Sequence, residues 1–288
     1  MALLGGLFVA IVVALMVVAW NYGPGLGILV GLLGIGIAWW QWYSSDTIAM
    51  KAMRAREVTP QQAPELHAMI ERLCALADMP KPRVGVADTD LPNAFATGRS
   101  PKRSVVVVTT GILQRLDAEE LEGVLAHELS HVAHRDVLVM TVASTAGIIA
   151  GMLARGSQYG VMLGGRGRRD QNSGLIMLLV LVVSLVTYAV SFLLLRLLSR
   201  YRELAADRAG AQLTMKPRAL ASALQKITGE INQIPQRDLR SAQTMNAFFF
   251  APAISGVSLR TLTSTHPTLE QRLEQLARIE AELGRPAA

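Results

Sequence analysis

The sequence predicts a mainly α integral membrane protein: an N-terminal transmembrane hairpin, then a cytosolic α+β domain into which a second apolar helical hairpin is inserted. Three observations carry this. Hydrophobic residues make up 51% of the 288 and charged residues only 17%, where a soluble domain carries about 25% charged residues. Four apolar runs, Ala2–Trp20, Gly25–Trp40, Val137–Leu153 and Leu175–Leu198, stand apart from the rest. Between them lie the short β-branched runs and amphipathic patterns of a soluble fold. The organisation that follows is 1–43 for the hairpin, 44–136 and 199–288 for the two parts of the soluble domain, and 137–198 for the insertion.

Ala2–Trp20 is uncharged and long enough to cross a hydrocarbon core of ~30 Å. Asn21-Tyr-Gly-Pro24 turns the chain, and Gly25–Trp40 returns it, with Trp39, Trp40, Trp42 and Tyr43 as an interfacial belt. No basic region precedes the first run and no small-residue cleavage site follows it, which argues against a removed signal peptide. Lys51, Arg54 and Arg56 follow the hairpin, so the positive-inside rule places residues after 44, and the N-terminus with them, in the cytoplasm. The single cysteine, Cys74, fits a compartment without a disulfide framework.

Pro60–Ala77 reads as an amphipathic helix, and Arg83–Ala87, Ala94–Thr97 and Ser104–Thr109 as strands of a small sheet. Asp117–Asp136 reads as one helix, with Leu121, Val124, Leu125, Leu129 and Val132 at helical spacing. Val137–Leu153 and Leu175–Leu198 form the inserted hairpin, joined by the Gly-rich basic loop Arg155–Ser173. If both runs cross, that loop lies outside, against the charge rule; Arg135, Arg196, Arg200 and Arg202 pull the opposite ends inward. A hairpin that only dips into the bilayer is the alternative. Pro217–Ile227 and Thr268–Leu283 complete the helices, the latter packing over the site through Leu269, Leu273 and Leu276.

The chemistry lies in the helix 117–136. His127, Glu128, Leu129, Ser130 and His131 spell H-E-x-x-H. Histidines at i and i+4 project from one helical face, so both imidazoles reach one Zn²⁺ at about 2.0–2.1 Å. The glutamate beside the first histidine then stands where it can take a proton from metal-bound water. Two solvated surface histidines are the bland reading, and the buried-type spacing of this helix argues against it, because unpartnered buried imidazoles are costly.

A catalytic zinc needs a third protein ligand and one open position. His134 lies about 10 Å along the axis from His127, too far to share the ion. No Gly turn and later His follow His131, which excludes the metzincin arrangement. Cys74 reads as a packed small side chain. The remaining candidates are acidic: Glu203 and Asp207 lie one turn apart in Arg200–Ala209, so a ligand and a carboxylate that accepts a histidine N–H can share a face. A helix salt-bridged through Arg200, Arg202 and Arg208 is an equal reading of that spacing.

Taken in order, the segments Pro92–Gly98, Val106–Gly111, H-E-x-x-H, Glu203–Asp207 and Ser264–Pro267, with Arg272 six residues after His266, resemble the HtpX-type membrane zinc endopeptidases, relatives of the CAAX prenyl-protein proteases. The resemblance covers essentially the whole chain, and five ordered motifs are far more specific than H-E-x-x-H alone. It implies a zincin-type protease domain with one Zn²⁺ per chain, His127, His131 and Glu203 as ligands, Glu128 as general base and Asp207 behind a ligand. It further implies that His266 and Arg272 face the developing oxyanion. Asn93, Ala94, Phe95 and Ala96 become the edge strand that takes a polypeptide as an added strand. One departure is Phe248-Phe-Phe-Ala-Pro252, where the family has its usual apolar stretch.

The ligand positions fit the apolar insertion. His131 lies six residues before the third run and Glu203 five after the fourth, roughly 8–9 Å from each if the helices continue. An antiparallel hairpin therefore brings both to one ion just above the cytoplasmic membrane surface. The net charge of +6 is accounted for by arginines flanking membrane segments and by anionic headgroups, so no nucleic-acid partner is implied. The expected setting is a multi-pass protein of the bacterial inner membrane, with the lipid bilayer and membrane-protein substrates as partners, a role in clearing damaged proteins and a link to stress. A narrower processing protease is disfavoured by having only four apolar runs, and a non-catalytic zinc scaffold by the intact Glu128.

Overall fold

The computed structural model of the chain describes residues 24–141, 171–233 and 266–284. The expected span Ala2–Trp20, most of Val137–Leu153, residues 155–170 of the basic loop and Phe248–Pro252 lie outside the described residues. The chain divides into two compact units, residues 1–42 with 138–197, and residues 43–137 with 198–288.

In the first unit, helix α1 (Pro24–Tyr43) carries no charge, and Leu29, Leu32, Leu33, Ile35 and Trp39 are exposed along it. A single helix, α6 (Gln171–Thr214), runs through the fourth apolar run and on into the second unit. Among the described residues one helix is long and apolar enough to cross a membrane: Leu181–Thr214, whose apolar window has a mean hydropathy of 2.2. Val182, Leu185, Val186, Leu193 and Leu197 point outward from it. The loop expected to last until Ser173 gives way earlier, since Gln171, Asn172 and Ser173 already form the polar first turn of α6.

The second unit is built on a four-stranded mixed sheet of order β1-β2-β4-β3: β1 (Arg56–Glu57), β2 (Arg83–Ala87), β3 (Ala94–Ser100) and β4 (Arg103–Thr109). β2 pairs parallel with β4, and β3 pairs antiparallel with β4 through Ala94↔Val108 and Ala96↔Val106. The run Val105–Val108 is fully buried on both faces, as a central strand of β-branched residues should be. β3 is left at the edge. Alternation sorts its side chains: Phe95 joins Ala49, Ala87, Val105 and Val107 on the face covered by α2 (Ser45–Ala52), whereas Ala94 and Ala96 face the main core.

That core gathers α3 (Pro64–Leu76), α5 (Ala118–Ala133), α7 (Pro217–Gln233) and α8 (Leu269–Leu283) around Leu73, Cys74, Leu125, Leu129, Leu220 and Leu276. Cys74 is a free, buried side chain of this core, and burial pushes its thiol up to about 11. The short helix α4 (Thr110–Arg115) links β4 to α5. α5 begins at a capping box, in which Asp117 accepts from Glu120 N and the Glu120 carboxylate accepts from Asp117 N. The same Glu120, buried, accepts from Ser222 Oγ at 2.6 Å and Lys226 Nζ at 2.7 Å, which ties α7 to α5. A second capping box, Thr268 with Gln271, starts α8.

One sequence expectation is corrected here. α5 does not continue to Asp136. It stops at Ala133, with His134 as its C-cap, and Arg135 takes a left-handed φ of 55° before helix resumes over 136–141.

Candidate metal centre

α5 and α6 meet at His127, and a glycine permits it. A Cβ on Gly210 would stand 2.9 Å from the His127 backbone nitrogen, closer than real Cβ contacts come, so only glycine lets the two backbones approach this far. One turn before Gly210 on α6 are Asp207 and Ala206, and one turn earlier still is Glu203. The close approach therefore sets the carboxylates of α6 against the imidazoles of α5.

His127, His131 and Glu203 converge, each offering a ligand atom within 4.8 Å of the others. His127 Nε2 and His131 Nε2 stand 3.2 Å apart with their rings edge-on at 87°. Glu203 Oε1 lies 3.6 Å from His131 Nε2, and Oε2 lies 3.8 Å from His127 Nε2. Donors of a tetrahedral zinc at 2.0–2.1 Å stand about 3.3–3.4 Å apart. The two Nε2 atoms stand near that spacing, and the Glu203 carboxylate approaches each of them through a different oxygen at slightly longer range. Two nitrogens and one carboxylate form a donor set suited to a catalytic zinc. Among the described residues this is the one such grouping of three.

Each histidine is gripped from behind by a carboxylate. Asp207 Oδ1 lies 2.9 Å from His127 Nδ1, and Asp136 Oδ2 lies 2.6 Å from His131 Nδ1. Each carboxylate in turn holds an arginine. Arg272 donates twice to Asp207, Nε to Oδ2 at 2.7 Å and Nη2 to Oδ1 at 2.6 Å, while Arg202 Nη2 reaches Asp136 Oδ2 at 2.6 Å. The sequence reading singled out Asp207 and missed Asp136, whose position depends on the turn at Arg135. Arg272 also stands with Nη1 3.9 Å from Glu203 Oε2. His266 Nδ1 stands 3.3 Å from Glu203 Oε2. His134 and Cys74 are away from the cluster, His134 exposed and Cys74 in the core.

Glu128 is buried, and its Oε2 accepts the backbone N–H of Ala96 at 2.9 Å. Because that N–H points to α5 and not to β4, β3 meets the H-E-x-x-H helix at Glu128. Asn93 and Ala94 are fully buried and Phe95 nearly so.

The charges respond to this packing. Burial pushes the Glu128 carboxyl up to about 7, the Glu203 charge adding to it, against the opposing pull of His131, Ala96 N–H and Arg272. Burial also opposes ionisation of Glu203, but a hydrogen bond and charge from His266, with His131 and His127, hold it well below the usual carboxylate range. The two imidazoles move apart. Burial outweighs Asp207 and lowers His127, whereas for His131 the Asp136 hydrogen bond and the charges of Glu203 and Glu128 outweigh burial and raise it.

The family model described as peptidase family M48 matches residues 60–280. The chain belongs to peptidase family M48. Its relatives include protease HtpX homolog 1 of Streptomyces coelicolor, 54% identical over 99% of this chain and 92% of the relative, and a protease HtpX homolog of Moorella thermoacetica, 48% identical over 96% and 92%. Among solved structures, Ste24p of S. mikatae shares the fold, with a TM-score of 0.57 at 18% identity. That match covers 92% of this chain and 62% of Ste24p. As a member of the M48 family the protein is a membrane metalloprotease, a hydrolase of peptide bonds.

Proposed function

We propose that the protein is a zinc-dependent endopeptidase that cuts polypeptides at the face of a membrane, with His127, His131 and Glu203 as the ligands of one Zn²⁺. The observation that carries this is the convergence of these three side chains, with ligand atoms all within 4.8 Å of one another. Bound there, zinc supplies a Lewis acid that acidifies a water and polarises a carbonyl.

The chain's own residues supply the rest. Glu128 is the general base: with Oε2 committed to Ala96 N–H, Oε1 takes the proton and later delivers it to the leaving amine. His266 is the group assigned to the developing negative oxygen. Arg272 acts through Asp207, fixing the ring of His127. The edge of β3 over Asn93–Ala96 receives the substrate backbone as an added strand.

The membrane part of the reading divides the chain into an N-terminal hairpin (1–43), an inserted apolar hairpin (137–198) and a protease domain made of 44–136 and 199–288. Uncharged α1 and the apolar stretch of α6 support it. By likeness to protease HtpX of other organisms, the setting is a multi-pass protein of the bacterial inner membrane with its active site towards the cytoplasm, removing misfolded or damaged membrane proteins.

Casein cleavage by the purified full chain, with and without a chelator, tests the activity. Glu128→Gln should keep one zinc per chain while cleavage falls at least a thousandfold. A variant that cuts at the parent rate would refute the assignment of the base.

A further inference from the structure

The H-E-x-x-H helix ends three residues before an aspartate that returns to it. Had α5 continued, Asp136 would stand about 7.5 Å up the axis from His131 and well round the helix from it. Instead Arg135 adopts φ 55°, a conformation that strains a residue other than glycine by on the order of 1 kcal/mol. The result of that turn is a single contact: Asp136 Oδ2 lies 2.6 Å from His131 Nδ1. The same oxygen is 2.6 Å from Nη2 of Arg202, the residue immediately before Glu203. The pair is largely withdrawn from water, with side chains 8% and 16% exposed. Asp136 therefore touches one proposed ligand directly and the chain neighbour of another.

We propose that Asp136 is a positioning residue for His131 and that Arg202 holds Asp136 in place. The carboxylate accepts the Nδ1–H, which fixes the tautomer with a lone pair on Nε2, and it turns that nitrogen towards His127 Nε2 and Glu203 Oε1. Arg202 lies on α6 and Asp136 just beyond α5, so the pair also sets the distance between the helices that carry the donors. The chain passes into the first unit after Val137 and returns at Leu198, so both departures from the second unit are fastened at His131. A helix-junction ion pair with no bearing on the imidazole is the competing account. The inference rests on the reading of His131 as a zinc ligand, and the experiment separates the two.

The experiment uses the full chain purified in detergent, with zinc affinity measured by competition against a chelating indicator and apo-protein Tm measured alongside. His131→Ala and Glu203→Gln test the ligand reading, which fails if neither weakens zinc binding. With that reading standing, Asp136→Ala should weaken zinc 10–100-fold, the range seen for carboxylates behind metal-bound histidines, while still reaching one zinc per chain at saturation. Asp136→Asn keeps an acceptor for Nδ1–H and should recover most of that loss. Arg202→Gln should weaken zinc by a few fold. A mere ion pair would lower the Tm in all three variants and leave affinity unmoved; parent affinity in Asp136→Ala, with zinc lost in His131→Ala, overturns the proposal. The absorption of the cobalt(II)-substituted protein gives a second readout, since a freed imidazole alters the ligand field in Asp136→Ala and an untouched one does not.

Discussion

The two histidines of the centre sit one helical turn apart and are backed by the same three-part device, imidazole, carboxylate and arginine, built to different standards. Behind His127 the device is sealed: His127, Asp207 and Arg272 side chains are 1%, 0% and 3% exposed, and the arginine makes a two-bond fork. Behind His131 it lies nearer the boundary, with one arginine contact and 11%, 8% and 16% exposure. The difference teaches where rigidity comes from. A buried bidentate pair has nowhere else to go, because either charge left alone in the interior is heavily penalised. A pair near the margin keeps water as a second partner. The sealed device also draws its arginine from α8, so it closes the core and orients the ring together, whereas the open one ties two helix ends.

The contrast is broken most violently at Asp207. Asp207→Ala strands the Arg272 guanidinium in the core, and breaking a buried pair this way costs about 3–5 kcal/mol. At about 2–4 °C per kcal/mol for a chain of this class, the apo protein should lose on the order of 10 °C in Tm. A drop no larger than that of Asp136→Ala would mean that burial does not distinguish the two devices. Next in size is a pair of matched substitutions. Arg272→Lys removes a fork that a point charge cannot reproduce, and kcat/KM should fall at least tenfold. Arg202→Lys replaces a single contact and should stay within about threefold of the parent, since a lysine can supply one donor to one oxygen. Equal losses in steady-state assays would erase the asymmetry.

How much of this could be read from the residues alone follows from which contacts are local. Helix periodicity fixes i, i+4 relations within one element, so His127 with His131 and Glu203 with Asp207 were visible as pairs before any fold was known. The β-branched run within Ser104–Thr109 was visible as a strand, and β4 is the interior, fully buried one. Contacts that depend on a break in periodicity were not visible. Asp136 lies five residues after His131, a spacing that on an unbroken helix points elsewhere, and only the left-handed Arg135 brings it back. Gly210 carried no signal either, because its meaning is the neighbouring backbone of α5. Arg272 was singled out by resemblance, and its double hydrogen bond to Asp207 was not visible. The short elements α2, α4 and β1 have too few residues to display a period.

The smallest effect concerns protons, and it separates the two imidazoles by sign. In chelator-treated protein, His127 has its pKa lowered below the unfolded value of about 6.5. Its contribution to stability is therefore complete above that pH and is lost as pH falls through the folded value. His131 has its pKa raised, so its contribution is complete below about 6.5 and is lost as pH rises through the folded value. The groups facing His131 are Asp136, Glu203 and Glu128, and these supply the rise. The two act in different windows, His127 below about 6.5 and His131 above it. Glu128, pushed up to about 7 from an unfolded value of about 4.3, loses its contribution as pH rises through about 7, so apo stability should fall from about pH 6.5 upward. Both aspartates are held below their usual range, so they add a further acid destabilisation once pH falls below about 4, where unfolded carboxyls begin to take protons. Asp136→Asn removes the nearest negative partner of His131 while leaving His127 as it was. The fall in Tm between about pH 6.5 and 8 should then become shallower. If the profile of Asp136→Asn falls as steeply as the parent's, the aspartate is not what favours the charged imidazole, and Glu203 and Glu128 alone must carry that task.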